Sequence, residues 1–109
     1  MRFSDIPGQR ETIGRLISTV KSERVSHAQL FTGPEGCGNL ALALTYARYV
    51  SCENRSDLDS CGTCKSCVKY EKMIHPDLHF VFPVVKKDTD PVSDKFIDKW
   101  REFAAVSPY

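Results

Sequence analysis

Apolar residues recur at helical intervals in several stretches of the chain, separated by polar and glycine-containing segments. The first such set, spaced i, i+3, i+4 and i+7, consists of Ile13, Leu16, Ile17 and Val20. A second set, which we expect to share one face of the next helix, consists of Leu40, Leu44, Ala47 and Val50. Each set predicts an amphipathic helix, because residues three and four apart meet on one side of a helix.

Two further helices are predicted in the second half of the chain. A short one runs over residues 65–73 and ends before His75 and Pro76, because the residue before a proline disfavours helical geometry. The last helix begins after Ser93, a residue type that caps helices. Its apolar face consists of Phe96, Ile97, Trp100, Phe103 and Ala104. We expect this face to pack on the core of the parent fold.

Two short segments have the composition of strands. Residues 27–32 are partly β-favouring and end at Gly33, and residues 78–82 are rich in aromatic and aliphatic side chains. Because strands alternate with helices along the chain, the sequence predicts an α/β fold with a parallel sheet and flanking helices. Two parallel strands make a poor sheet, so we expect the chain to belong to a larger module or to need a partner.

Composition places the chain among ordinary globular proteins. Of its 109 residues, 41% are hydrophobic and 27% are charged, and the formal net charge is +1. This composition argues against a disordered chain, and the near-neutral charge argues against binding nucleic acid by bulk charge alone. No stretch has the character of a signal peptide or a membrane span. We therefore expect a cytoplasmic protein that makes no membrane contact.

A glycine-rich loop at residues 33–38 joins the first predicted strand to the second helix. Its glycines match the phosphate-binding pattern G-x-x-x-x-G-K-[S/T], whose backbone N–H groups hold phosphates while the lysine and the hydroxyl group contact phosphate and Mg²⁺. In this chain Asn39 stands at the lysine position and Leu40 at the hydroxyl position. The chain is therefore predicted to be no enzyme, and ATP is not expected as a cofactor.

The vestigial loop keeps one possible role and one plain alternative. The cofactor-binding candidates are its backbone-exposing positions, Gly33, Gly36, Gly38 and Asn39. A helix N-terminus can still hold an anion, although the carboxylate of Glu35 opposes this. The alternative is an ordinary glycine turn with no ligand, which the loop taken alone slightly favours.

Four of the five cysteines are spaced C-x8-C-x2-C-x2-C. They are Cys52, Cys61, Cys64 and Cys67. The C-x2-C steps let neighbouring thiolates converge on one ion, and four thiolates favour tetrahedral Zn²⁺. A closed four-sulfur shell leaves no open coordination position, so the predicted zinc is structural and stabilises a segment too polar to fold alone.

Other assignments of the cysteines stay open at this point. Iron–sulfur clusters also use cysteine ligands, and the thiols could be free or, in an oxidising compartment, paired in disulfides. His75 and His79 are substitute ligands, although their place beside Pro76 fits the start of a strand. Cys37 lies in the glycine loop, outside the set, and is interpreted as a free thiol.

The order of these motifs resembles the N-terminal part of the bacterial clamp-loader subunits of DNA polymerase III. The resemblance rests on five ordered segments, which are Phe3-Ser-Asp-Ile-Pro-Gly-Gln9, the strand over residues 27–31, the glycine loop, the four-cysteine insertion and Ile74-His-Pro-Asp77. It implies an AAA+ module with a zinc module at about residues 51–68 inserted after the P-loop helix. Residues 1–109 would be a partial nucleotide-binding-type domain without the Walker B, sensor, lid and collar regions.

The resemblance also implies a function. Because the loop lysine is lost, the chain is similar to the delta-prime type of subunit rather than to the ATP-hydrolysing gamma/tau type. Such a subunit acts by protein–protein contact within the clamp loader during DNA replication. Its implied partners are gamma/tau-type and delta-type subunits and, through the assembled complex, the sliding clamp and primed DNA.

Two other functions compete with this one. An active P-loop ATPase of the gamma/tau type is opposed by Asn39 and Leu40. A small zinc-stabilised nucleic-acid-binding module would use Lys65, Lys69 and Lys72 to contact phosphates. The low net charge favours a solvated helix face for these lysines instead.

Overall fold

The computed structural model describes residues 1–84 and 96–106, and in these ranges the chain forms four α-helices. A 3-10 turn at Phe3–Asp5 precedes them. The helices are α1 (Arg10–Lys21), α2 (Asn39–Ser51), α3 (Lys65–Glu71) and α4 (Ile97–Val106). Helix α2 packs against α1, α3 and the 3-10 turn, so it is the central element. None of the four helices combines the length and apolar character needed to cross a bilayer.

The core forms where α1, α2 and the N-terminal turn meet. Its buried members are Phe3, Ile6, Leu16, Ile17, Val20, Leu42, Tyr46 and Tyr49. The α1 stripe predicted from the sequence is confirmed, because Leu16, Ile17 and Val20 are buried and Ile13 packs at the edge of the core.

The buried face of α2 differs from the predicted one. Its buried residues are Ala41, Leu42, Thr45, Tyr46, Arg48 and Tyr49, whereas Val50 is exposed. Two tyrosines replace the aliphatic stripe because each buries a large ring and still bonds its hydroxyl. The Tyr46 hydroxyl lies 2.9 Å from Thr19 Oγ1, and the Tyr49 hydroxyl donates to the Ser56 carbonyl at 2.8 Å.

The predicted parallel sheet is not found in residues 1–84 and 96–106, where no strand is formed. Residues 27–32 and 78–82 are irregular, and no backbone hydrogen bond joins them. Leu30 is 88% exposed and Val81 is 93% exposed, so these apolar side chains lack the covering layer that the pattern predicted. The physical reason is that a strand needs a paired neighbour, and composition alone does not supply one.

Helix α4 lies where the last helix was predicted, and its apolar face is only partly packed. Trp100 stacks on Phe82 with ring centroids 4.7 Å apart, and Ala104 is fully buried. Phe103 is largely exposed, although it was predicted to face the core. The predicted cap, Ser93, lies outside the described residues.

Helix α2 begins at a glycine that adopts a left-handed conformation. Gly38 is the N-cap residue, with φ 86° and ψ 26°. We expect Gly38→Ala to destabilise the protein by about 1–2 kcal/mol, because a Cβ atom is strained in this region. The matched control is Gly14→Ala inside α1, where an added Cβ meets nothing within 4 Å. That change should stabilise the fold by about 0.5–1 kcal/mol.

Urea unfolding of the two glycine variants gives the comparison directly. Equal effects of the two substitutions, or a stabilising effect at Gly38, would contradict the assigned backbone conformation at the start of α2.

Candidate metal centre

Four thiols converge in the loop between α2 and α3. The Sγ atoms of Cys52, Cys61, Cys64 and Cys67 all lie within 4.8 Å of one another. The Cys52–Cys61 pair is 3.5 Å apart, the Cys52–Cys64 pair 4.0 Å and the Cys61–Cys67 pair 3.9 Å. A tetrahedral zinc with Zn–S bonds of about 2.3 Å requires sulfurs about 3.8 Å apart. The thiol set therefore fits a tetrahedral four-sulfur site.

Secondary structure positions three of the four thiols. Cys52 is the C-cap residue of α2, Cys64 is the N-cap residue of α3, and Cys67 lies in the first turn of α3. Cys61 lies in the connecting loop, where Gly62 has φ 78°. Two rigid helix ends and one tight turn thus hold the sulfurs near one point.

Backbone N–H groups point at the sulfurs within the cluster. The amide of Cys61 donates to Cys52 Sγ at 3.3 Å, that of Cys64 to Cys61 Sγ at 3.3 Å, and that of Cys67 to Cys64 Sγ at 3.4 Å. Such bonds favour the thiolate over the thiol, because an N–H dipole stabilises negative charge on sulfur. The loop backbone is therefore arranged for thiolate ligands.

The thiols differ in how readily they ionise without a metal. Hydrogen bonds from the backbone of Thr63 and Cys64 hold the pKa of Cys61 at about 6. The backbone N–H of Cys67 likewise lowers the pKa of Cys64. Burial raises the pKa of Cys52 to about 12. A bound cation would supply the charge needed to ionise Cys52, since metal ligation deprotonates coordinated thiols outright.

The polar loop that carries the centre is fastened by Asp59. Its carboxylate accepts hydrogen bonds from the backbone N–H groups of Phe3 and Ser4, each at 3.0 Å. The backbone carbonyl of Asp59 accepts from the amide and the hydroxyl of Ser56. These contacts join the N-terminal turn to the cysteine loop. Sequence reasoning missed them because the partners are 55 and 56 residues apart.

A buried arginine lies beside the cysteines. Arg48 Nη1 donates to the Met1 carbonyl at 2.8 Å and to the carboxylate of Glu71. Burial acts to lower the pKa of Arg48, but hydrogen bonding and charge from Cys67 and Glu71 outweigh it and raise that pKa. The pKa of Glu71 is lowered by hydrogen bonds from the Met1 ammonium group and from Arg48. The sequence signal that could have found Arg48 is its place one helical turn before Cys52.

The remaining ligand candidates lie outside the thiol cluster. His75 Nδ1 accepts from the Asp77 amide at 3.1 Å, and its ring packs on Tyr70 at 4.6 Å. His79 is exposed, and neither histidine belongs to the group of converging thiols. Cys37 also lies apart from the cluster, where its Sγ contacts the Asn39 side chain. Lys65, Lys69 and Lys72 are all exposed on or next to α3.

The glycine loop is closed by its own side chains. Cys37 Sγ lies 2.5 Å from where a Cβ at Gly33 would be, and the Cys37 thiol donates to Asn39 Oδ1. Gly36 and Gly38 have φ values of 78° and 86° and make the turn into α2. The side chain at the lysine position is thus bonded within the loop.

A groove of about 280 Å³ lies beside the loop. It is lined by Gln9, Thr12, Leu16, Gln29, Leu30, Phe31, Thr32, Cys37, Gly38, Asn39 and Leu42. None of these lining residues is acidic or basic. The groove therefore offers a phosphate no side-chain cation and offers a divalent metal no carboxylate.

A closed set of four thiols held between two helices defines a structural metal-binding module. The chain matches, over residues 8–109, the family described as DNA polymerase III, delta subunit, and it belongs to that family.

Individual relatives have related names. The chain is 38% identical over 68 residues to DNA polymerase III subunit delta' of Bacillus subtilis (strain 168), a match that covers 62% of this chain and 20% of that protein. It is 36% identical over 66 residues to DNA polymerase III subunit gamma/tau of Mycobacterium tuberculosis (strain ATCC 25618 / H37Rv), covering 61% of this chain and 11% of that protein. It is also 30% identical over 93 residues to Protein STICHEL-like 4 of Arabidopsis thaliana, covering 85% and 10% respectively.

The matched regions are short compared with these relatives. The chain spans between a tenth and a fifth of the length of the curated proteins named above. No solved structure matches the chain at the same level of significance.

Proposed function

We propose that the chain is a non-hydrolysing subunit of the DNA polymerase III clamp loader, of the delta-prime type, with a structural zinc at its four cysteines. It helps to load the sliding clamp on primed DNA in the cytoplasm. It does so through protein–protein contacts with gamma/tau-type and delta-type subunits. The observation that carries this proposal is the closed glycine loop beside an uncharged groove in a chain of the DNA polymerase III family.

The loop argument separates this type of subunit from an ATPase. Phosphate binding of the P-loop kind uses a lysine and a hydroxyl residue, and hydrolysis uses Mg²⁺ held near the γ-phosphate. Here Asn39 is bonded to Cys37, and Leu40 carries no hydroxyl. Gly33, Gly36, Gly38 and Asn39 therefore serve as a vestigial loop that shapes the start of α2.

The thiol argument supports zinc in a structural role. Four sulfurs at tetrahedral spacing leave no coordination position for a substrate. Cys67 is 0% exposed and Cys52 is also buried, so the centre has the shielding of a folding site. Zinc bound by Cys52, Cys61, Cys64 and Cys67 would hold the polar module at about residues 51–68. In the proposed organisation, residues 1–109 form part of an AAA+ nucleotide-binding-type domain.

The proposal is tested by adding the chain to purified gamma/tau-type and delta-type subunits. We expect co-elution with them in size-exclusion chromatography, one zinc per chain by elemental analysis, and no ATP turnover by the chain alone. The control is the double variant Asn39→Lys with Leu40→Thr, which restores both chemical positions. It should still turn over no ATP, because no carboxylate lines the groove.

Three results would count against the proposal. ATP turnover by the unaltered chain above background would point to a gamma/tau-type ATPase. Failure to associate with either subunit would remove the clamp-loader role. Salt-sensitive DNA binding lost on changing Lys65, Lys69 and Lys72 to Gln would favour the nucleic-acid-binding module.

A further inference from the structure

Arg48 is a charged residue on the buried face of α2. Its side chain is only 6% exposed, whereas the side chain of its partner Glu71 is 59% exposed. The guanidinium makes hydrogen bonds through Nη1 to the Met1 carbonyl and to Glu71. Full burial of an arginine needs compensation, because moving a charge out of water is costly.

The compensating charge of Glu71 is only part of the environment of Arg48. Nη2 lies 3.7 Å from the position that a Cβ at Gly62 would occupy, and Gly62 lies between Cys61 and Cys64 in the cysteine loop. The Cys67 side chain hydrogen-bonds to Arg48 and interacts with its charge. One end of the guanidinium therefore faces Glu71, and the other faces the cysteine loop.

The charge balance of the centre explains this placement. Four thiolates around a divalent cation carry a net charge of −2, and a partly buried anionic centre is stabilised by a nearby cation. Arginine suits this role because it stays protonated at every physiological pH. We propose that Arg48 is the charge-compensating and positioning residue of the cysteine centre, favouring thiolate over thiol and so setting the pH at which metal is released. This inference rests on the metal binding proposed above.

Other charges act on the same region and must be distinguished from Arg48. Glu71 and the Met1 ammonium group face Arg48, and the Arg2 side chain approaches within 3.5 Å of a Cβ placed at Gly62. Arg55 donates to the Cys52 carbonyl. Arg2 and Arg55 are exposed, so solvent screens their charges more than that of Arg48.

The first measurement is zinc release from the chain on acidification, followed with a zinc-sensitive dye. Arg48→Met removes the charge and keeps an apolar stem. We expect its zinc affinity at neutral pH to fall roughly 10- to 100-fold, as for loss of an outer-shell partner. If about four protons replace the metal, that loss raises the midpoint pH of release by roughly 0.3–0.5 pH unit. The matched control is Arg2→Met, which removes an exposed charge beside the same glycine and should shift the midpoint far less.

Glu71→Gln separates a charge effect from a purely structural tie. If Arg48 only joins α2 to α3, removing its carboxylate partner should weaken zinc binding as Arg48→Met does. If Arg48 acts by charge, Glu71→Gln leaves that charge unopposed, and the midpoint pH should stay or move lower. Arg48→Lys should restore most of the wild-type midpoint, because it keeps the charge.

The outcomes separate the two proposals. Absence of zinc in the unaltered chain would overturn the metal site and this inference together. A metal-bound chain whose midpoint does not change with Arg48→Met, or rises equally with Glu71→Gln, would overturn the role of Arg48 alone. If Arg48→Met does not fold, the midpoints of Arg48→Lys and Glu71→Gln decide the question in the same way.

Discussion

Replacement of Cys67 by serine is expected to abolish stoichiometric zinc binding and to unfold the segment between α2 and α3. Cys67 is fully buried, and its sulfur lies 3.9 Å from that of Cys61. A serine hydroxyl stays protonated and is a poor zinc ligand, so the four-sulfur shell is broken. The loss of affinity should exceed the roughly 100-fold attached to losing an outer-shell partner. Elemental analysis and circular dichroism measure the two effects.

The matched control for this prediction is Cys37→Ser. It makes the same chemical change in the glycine loop, where Cys37 lies outside the thiol cluster and contacts Asn39. A serine there keeps a donor for the asparagine, so zinc content should stay at one per chain. The metal assignment fails if the Cys67 variant retains its zinc, or if the two serine variants lose zinc equally.

Truncation of Tyr49 to alanine should give the largest loss of stability among single changes in the core. Tyr49 is 1% exposed, its ring packs on Phe3 with centroids 5.4 Å apart, and its hydroxyl bonds the Ser56 carbonyl. Removing a buried aromatic ring costs about 3–5 kcal/mol through lost burial and the cavity left behind. Domains of this size are stable by only about 5–15 kcal/mol, so the variant should be close to unfolding at room temperature.

Tyr49→Phe is the control that separates the ring from the hydroxyl. It keeps the packing on Phe3 and removes only the bond to Ser56, which should cost about 0.5–1.5 kcal/mol. Urea unfolding of the zinc-loaded variants measures both values. The central position of Tyr49 would be refuted by an alanine variant less than about 1 kcal/mol below the parent, a loss typical of ordinary substitutions.

The helices and the thiol cluster could be anticipated because both depend on local spacing. Periodicity over a few turns placed α1, α2 and α3, and the C-x2-C steps bring Cys61, Cys64 and Cys67 close whatever the rest of the chain does. The α2 face was misjudged because the pattern weighed aliphatic residues above Tyr46 and Tyr49, whose hydroxyls find partners inside the fold.

The features that sequence reasoning missed depend on residues far apart in the chain. A strand at residues 27–32 or 78–82 requires a neighbouring strand, and local composition does not show whether one is present. The bonds of Asp59 to the N-terminal turn and of Arg48 to the Met1 carbonyl span 47–56 residues. Their donors and acceptors are common polar groups, so no motif marks them in advance.

The attachment of the N-terminal turn to Asp59 has a consequence for synthesis on the ribosome. The backbone amides of Phe3 and Ser4 find their acceptor only in a residue 55 or 56 positions later. That acceptor is presented by the loop that the cysteines close. The first residues to leave the ribosome must therefore wait for the cysteine loop to emerge, so the beginning of the chain is among the last parts to become ordered.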